Sequence, residues 1–353
     1  MRHGDDCVKR PRISVLIPTY NYARFLPEAI ESVLAQDFPD FELLVVDDCS
    51  DDDTAAVVQP FCARDERVRF SVNAANLGMV NNWNHCLQEA RGEYMKFLFG
   101  DDKLCHPQAL GKMVALLEKN PSATLAASAR VILDEKSKVV DVWRPLADGC
   151  HNGRKIITAY LMENGKNLVG EPSAVLFRKS DAQRGFDPQY RQMVDVEMWF
   201  HLLEKGDLAY TGEPLCAFRC HPLQQTERNT DTGVAWREHA LFISGRAVQP
   251  QFPREVVFPI LFHLRRWQRW NPDAGSPEMA EWQRRLAVRW GSGWRWSYWL
   301  YCLRYRIAKP FRNLAHSAQR RLFRWFFKPT WACSSAPESI ARSGSNSGGV
   351  KPA

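Results

Sequence analysis

The chain has 353 residues, 45% of them apolar and 25% charged, with a formal net charge of +7. That length and composition allow a globular core in one large domain with an appendage, or in two domains. No stretch approaches 18 uncharged apolar residues, which argues against a membrane-spanning helix.

The charge is unevenly spread. Residues 251–332 hold 16 Lys and Arg against 4 Asp and Glu, so the first 250 residues are net acidic. Nine of the 13 Trp fall in the same basic segment. Such asymmetry points to two jobs. Of the ten Cys only Cys216 and Cys220 lie close together, with a spacing outside the usual zinc and redox patterns. Reduced thiols, many of them buried, in a cytosolic protein are expected. Met1–Arg12 is polar and lacks the apolar stretch of a secretory signal.

In chain order, Arg12 to Pro18 reads as a strand stopped by proline, with a loop at Thr19–Tyr22. Pro27–Gln36 has helical spacing of Ala29, Ile30, Val33 and Leu34, with proline suited to its first turn. Phe41–Val46 is a second buried strand that ends in Asp47-Asp48. A helix over about 54–63, a strand at 68–72, an Asn-rich loop from Asn73 and a helix at 81–90 follow. Gly92–Phe99 is the next apolar run, and it stops abruptly in Gly100-Asp101-Asp102. A run of that length suits a strand buried on both faces, as in parallel sheets. A helix at 107–118 and a strand at 124–133 complete an α/β alternation.

Residues 134–168 are less regular. A strand at 173–178, a helix within 186–206 carrying Asp195, Glu197 and Trp199 near its start, and short strands at 209–210 and 215–219 come next. Residues 224–248 read as helical. From 251 Pro259, Pro272 and Pro310 break the helical pattern, and after Trp331 a tail rich in Ser, Gly and Pro should be disordered. The expected organisation is a flexible leader at 1–11, a catalytic-type domain at 12–225, a basic, Trp-rich helical region at 226–332 and a disordered tail at 333–353.

The chemistry concentrates in carboxylates. Asp47/Asp48 and Asp101/Asp102 each close an apolar strand, where open α/β sheets bind ligands. One such pair is ordinarily loop chemistry. Two at equivalent places favour a site, because paired acids repel unless a cation or donor groups compensate. Hard divalent cations take oxygen ligands and hold phosphates, so a metal-diphosphate site is expected. Asp195 or Glu197 is a candidate base, against the reading of a capping Asp beside a solvated Glu. His221 is either a surface histidine or a completing metal ligand. No Gly-rich phosphate loop and no Gly-x-Ser-x-Gly elbow is present, which argues against a P-loop NTPase, a dinucleotide dehydrogenase and an α/β-hydrolase.

Taken together, residues 12–225 resemble the family 2 glycosyltransferases, which have the GT-A fold. Ile13–Asn21 is similar to that family's opening strand and Pro-Thr-Tyr-Asn loop. Val45 to Asp52 resembles its Val-Asp-Asp-x-Ser segment, Asn76-Leu77-Gly78 with Trp83-Asn84 its Asn-rich loop, and Gly92–Asp102 the strand with its Asp-x-Asp-type motif. The resemblance implies a mainly parallel sheet flanked by helices, followed here by the C-terminal helical extension. It also implies a hexosyltransferase that moves a sugar, with inversion, from a UDP- or dTDP-sugar to a hydroxyl of a glycan or lipid-linked acceptor in polysaccharide biosynthesis. Tyr20 would stack on the base, with Pro18, Thr19, Asn21 and Asn76 around it and Asp48 bonded to it. Asp101 would lie near the ribose, and Asp102, with His221 assisting, would hold Mg²⁺ or Mn²⁺. Asp195 matches the base, with Glu197 a competitor, and Glu171 and Glu197 fall on the acceptor side. Phe99 stands where many members carry a further acid.

The basic region 251–332 is expected to contact an anionic membrane surface, against the alternative of a packed helical subdomain. Arg320, Arg321 and Arg324 share one helical side there. No nucleic acid is expected. The protein would be cytoplasmic, peripheral on the inner face of a membrane. A non-catalytic nucleotide-sugar-binding relative acting through its basic end, and a nucleotidyltransferase, are the alternatives.

Overall fold

The structure is a computed structural model that describes residues 10–162, 166–222 and, with short gaps and without 263–275, 224–303. The leader before residue 10, the Arg320/Arg321/Arg324 helix and the tail at 333–353 lie outside the described residues.

Among the described residues ten strands form one sheet. β1 (Ile13–Thr19), β2 (Phe41–Asp47), β3 (Val68–Val72) and β4 (Tyr94–Phe97) are parallel. Their order in space is β3-β2-β1-β4. The chain therefore travels outward from β1 to β3 and then returns to pair β4 on the other side of β1. The carboxyl ends of β1 and β4 flank that reversal, the place where open sheets hold ligands. Every residue of β1, β2 and β4 is buried, as expected for strands covered on both faces. The covering helices are α1 (Leu26–Leu34), α2 (Thr54–Arg64), α3 (Met79–Glu89) and α4 (Ala109–Lys119). Pro27 does occupy the first turn of α1, where its missing N–H costs nothing.

Beyond β4 the sheet turns mixed, in the order β4-β9-β6-β10-β5. The short β5 (Lys103–Leu104) and the four-residue β9 (Val175–Arg178) are antiparallel to their neighbours. β6 (Ala123–Leu133) turns back into β7 (Val139–Trp143), a hairpin inside the stretch that reads as irregular. The reading fails there because all five β7 residues are exposed, so no buried face imposes an alternation. β8 (Gly149–His151) and α5 (Gly153–Met162) follow.

The two short strands expected at 209–219 are one strand, β10 (Asp207–Arg219), interrupted by register shifts around Pro214. A proline removes one ladder donor and favours such a bulge. α6 (Val194–Leu203) carries Asp195 in its first turn. The compact unit continues through α7 (Gln225–Asp231), α8 (Val234–Ala247) and α9 (Ser276–Trp290) to Cys302. Aromatic packing joins α8 to α6, with Phe242 and Phe200 centroids 5.0 Å apart. Among the described cysteines only Cys86 and Cys216 are buried, fewer than expected, and all are free thiols.

Candidate active site

The donor side begins where β1 ends. Thr19 is buried and its Oγ1 has no partner, while the Tyr20 ring is exposed at the mouth. Asn21 has φ 59, a left-handed conformation that asparagine tolerates better than most residues. Its N–H donates to Ser50 Oγ at 2.8 Å and its Oδ1 accepts from Asp51 N–H at 2.9 Å. The loops after β1 and β2 are thus fastened to each other. Pro18 pairs Val46 in the parallel register just beneath.

Asp48 is buried, and its carboxylate accepts from Asn73 Nδ2, Leu77 N–H and Gly78 N–H at 2.8, 2.8 and 2.9 Å. It therefore holds the 73–78 loop. Asn76 works in the same latch, with Nδ2 donating to Asp48 O at 3.0 Å. Gly78, at φ +81, provides the turn into α3.

After β4 the chain delivers Asp101 and Asp102 beneath the cleft. Asp102 is 1% exposed. Its Oδ1 accepts from Arg219 N–H at 2.9 Å, and its Oδ2 is buried without a partner. Burial, then the neighbouring charges of Asp101 and Glu171, hold this carboxyl well above the usual carboxylate range. Asp101 Oδ2 lies 3.0 Å from His221 Nε2. His221 is buried against Tyr22 and Phe25, with its Nδ1 unpartnered.

Arg219, also 1% exposed, ties this floor together. Its Nε donates to Asp101 O at 2.7 Å, Nη1 to Ser137 Oγ at 2.7 Å and Nη2 to Glu28 Oε2 at 2.6 Å. The β10 end, the acid pair, α1 and the tip of the β6–β7 hairpin thereby meet at one guanidinium, which Phe25 flanks at 4.9 Å. Burial raises the Glu28 carboxyl, but bonds from Lys103 and Ser137 and the charge of Arg219 outweigh it and hold it below the ordinary glutamate range.

Lys96 is fully buried in the middle of β4, a residue the sequence reading passed over. Its only signal was a charge inside an otherwise apolar run. Nζ donates to Phe97 O at 3.1 Å and to Ser173 O, and burial lowers its pKa to about 8. Ser173 Oγ in turn accepts from Phe99 N–H at 3.1 Å. The 3-10 turn Pro172–Ala174, which follows Glu171, is clamped by these bonds to the strand leading into the acid pair.

Asp195 lies in the first turn of α6. Protein atoms crowd its carboxyl while part of its surface stays open. Burial pushes its pKa up to about 7; its bond from Val196 N–H opposes this, and the charge of Glu171 adds to it. Glu171 is ion-paired with Arg130 at 2.5 Å. Glu171 thus acts on both Asp102 and Asp195, although the three stand far apart in sequence. Glu197 does not join them. It is buried in a separate ion-pair network, bonded to Arg184 at 3.0 and 2.7 Å and to Arg246 at 2.9 Å. Two residues of helix phase, roughly 100° for each residue of an α-helix, direct the two acids to different surroundings.

Among the described residues no group of three or more His, Cys, Asp or Glu is arranged to hold a metal by itself. The Asp102 carboxylate still fits a cation: its buried, unpartnered Oδ2 beside Asp101 is an oxygen donor left over by the fold. A site with few protein ligands suits ions completed by substrate phosphate oxygens.

Buried acids after the strand ends and a carboxylate oxygen left without a partner mark this region as the candidate site. Comparison with known proteins gives the class. The glycosyl transferase family 2 model matches residues 14–186. The uncharacterized protein MT1568 of Mycobacterium tuberculosis is 31% identical over 256 residues, which span 70% of this chain and 79% of that protein. Residues 1–349 of TarS of S. aureus, crystallised in complex with UDP-GlcNAc, superpose with a TM-score of 0.56 at 18% identity, covering 78% of this chain and 80% of that fragment. The mannosyltransferase PcManGT from Pyrobaculum calidifontis, in complex with GDP-Man and Mn²⁺, gives 0.53 at 17% identity, covering 92% and 88%. The chain belongs to glycosyl transferase family 2, and its fold is the GT-A arrangement.

Proposed function

We propose that this glycosyltransferase moves a hexosyl unit from a nucleoside-diphosphate donor to a hydroxyl of a glycan or lipid-linked acceptor, with inversion. The observation that supports this reading is that Glu171 acts electrostatically on two acids from distant elements, Asp102 and Asp195. Asp102 keeps a buried free oxygen at the diphosphate end, and Asp195, with a pKa of about 7, faces the acceptor end.

Asp195 takes the proton of the attacking hydroxyl at near-neutral pH, where a base of this proton affinity is most effective. Glu171 and Arg130 border it and orient the acceptor. Asp101 sits on the ribose side, and His221 steadies it. Tyr20 covers the base, with Pro18, Thr19 and Asn21 shaping the pocket. Asp48 and Asn76 contribute by holding the loop that closes it. Asp102 would hold Mg²⁺ or Mn²⁺, which when bound supplies Lewis-acid stabilisation of the departing diphosphate. A UDP- or dTDP-sugar is the donor we favour, and surface-polysaccharide biosynthesis the setting.

Thermal-shift titration tests the reading: UDP or dTDP with Mn²⁺ should raise the melting temperature, and Asp102→Asn should abolish the Mn²⁺-dependent part. Failure of every nucleoside diphosphate to stabilise the chain would overturn it and favour a relative that binds partners without catalysis.

We infer a peripheral membrane contact from a second observation. In the helical segment 294–302, Trp294 and Tyr298 are buried, while Trp296 (65% exposed), Trp299 (50% exposed) and Leu300 form an outward apolar face. Trp296 and Trp299 stack at 4.9 Å. Aromatics beside basic residues suit a lipid interface. No helix among the described residues is long and apolar enough to cross a membrane. Binding of the full chain to anionic liposomes should fall when Trp296 and Trp299 are both changed to Ser; equal binding would remove this inference.

A further inference from the structure

One wall of the cleft has no part in the donor chemistry. Arg130 on β6 lies directly across from Trp143 on β7. Its guanidinium carbon sits 5.0 Å from the centre of the indole. The indole is nevertheless 42% exposed, and its Nε1–H donates to Asp141 Oδ2 at 3.0 Å, which sets the ring's orientation. Arg130 is almost completely buried, and its Nη1 has no hydrogen-bond partner. A buried N–H without an acceptor is costly, so a ligand oxygen that reached it would be strongly favoured. Gly170 packs directly against it: its φ is +118, and a Cβ there would come within 3.1 Å of the same Nη1.

We propose that Trp143, Arg130 and Glu171 form the acceptor subsite and that this subsite takes a pyranose ring. The assignment rests on the glycosyl-transfer reading above and names its acceptor. A pyranose offers an apolar C–H face for the exposed indole. Its hydroxyls both donate and accept, and Arg130 and Glu171 stand side by side as a donor and an acceptor. A phosphate or carboxylate in the same place would meet the repulsion of Glu171, Asp195 and Asp102. A flexible polyol would present no flat face to the ring. The wall is also fixed relative to the donor side, because Arg219 Nη1 bonds Ser137 at the tip of the same hairpin. The sugar that stacks on Trp143 is the one whose hydroxyl Asp195 deprotonates: the O–H proton passes to the Asp195 carboxylate, the oxygen bonds to the donor's anomeric carbon, and the nucleoside diphosphate leaves with the old bond's electrons.

The test uses the full chain as wild type, Trp143→Ala and Trp143→Phe. Saturation-transfer NMR is run with methyl pyranosides of glucose, galactose and their 2-acetamido forms, and with ribitol and glycerol phosphate as non-pyranose probes. At least one pyranoside should show transfer to its ring protons, about tenfold weaker in Trp143→Ala and largely restored in Trp143→Phe. UDP affinity, measured by calorimetry with Mn²⁺, should be the same in all three proteins. The proposal is overturned if no pyranoside signal depends on Trp143, if ribitol or glycerol phosphate gives the equal of it, or if Trp143→Ala weakens UDP and pyranoside alike. It is also overturned if sedimentation shows that Trp143→Ala turns a dimer into a monomer, which would make this wall a contact between copies. Absence of UDP binding in the wild type would count against the glycosyl-transfer reading and leave the pyranoside arm to judge the subsite independently.

Discussion

At the scale of single residues the site works by giving similar carboxyls different surroundings. Asp195 is raised to about 7, mainly by burial. Its active form as a base is the ionised one, so transfer under saturating donor should rise with pH through about 7 and level off above it. A pH–rate profile checks this, and a flat profile between pH 6 and 8 would remove Asp195 as the base. The same shift bears on stability. A carboxyl raised in the folded state binds its proton more tightly there than when unfolded, so stability is lost as pH rises from the ordinary aspartate range through about 7. Asp195→Asn should therefore lower turnover by roughly 100-fold or more, while its melting temperature at pH 8 matches or exceeds that of the wild type. Asp102→Asn should behave otherwise, with Mn²⁺ no longer raising donor affinity in a calorimetric titration. Glu197 shows how little the residue type decides. It was a candidate beside Asp195, yet two arginines enclose it.

At the scale of elements, β4 is the part under greatest constraint. Gly92 precedes it where the chain passes close to β1, and a Cβ there would fall 2.5 Å from Ser14 N and 2.8 Å from Ile13 C. Because backbone atoms are in the way, Gly92→Ala should destabilise by about 2 kcal/mol, read as a lower urea midpoint with unchanged slope. Lys96 links the strand to the turn that carries Glu171. Lys96→Met keeps the length of the side chain but leaves Ser173 O without its Lys96 partner, at a cost of about 1–3 kcal/mol. The acceptor affinity should fall with it while donor affinity changes less, which separate titrations would show. The elements with a strict period were legible in the sequence: β1, β2 and α1 to α4 lie within a few residues of where periodicity puts them. The β6–β7 hairpin and the bulged β10 were not. An all-exposed strand has no apolar alternation, and Pro214 splits one long strand into two apparent short ones.

At the scale of the whole molecule, Arg219 is the tie between regions. It binds α1 through Glu28, the hairpin through Ser137 and the acid pair through Asp101 O. Arg219→Met should cost roughly 2 kcal/mol, less than breaking a fully buried pair because Glu28 still meets solvent. It should also lower donor affinity, since the same side chain sets the acid pair, and a variant that melts earlier with unchanged UDP binding would contradict this. Sequence by itself determined the α/β class, the family and the two acid pairs, because strand and helix periods and short loop motifs are local properties that survive without coordinates. Only the tertiary structure decided what each acid does. It set Glu171 within electrostatic reach of both Asp102 and Asp195, bonded Asp48 to the 73–78 loop, closed Glu197 inside arginines and set Trp143 over Arg130. Those outcomes depend on which side chains from distant strands meet and which oxygens are left without partners. Packing fixes such meetings across many residues of separation, and no local pattern records them.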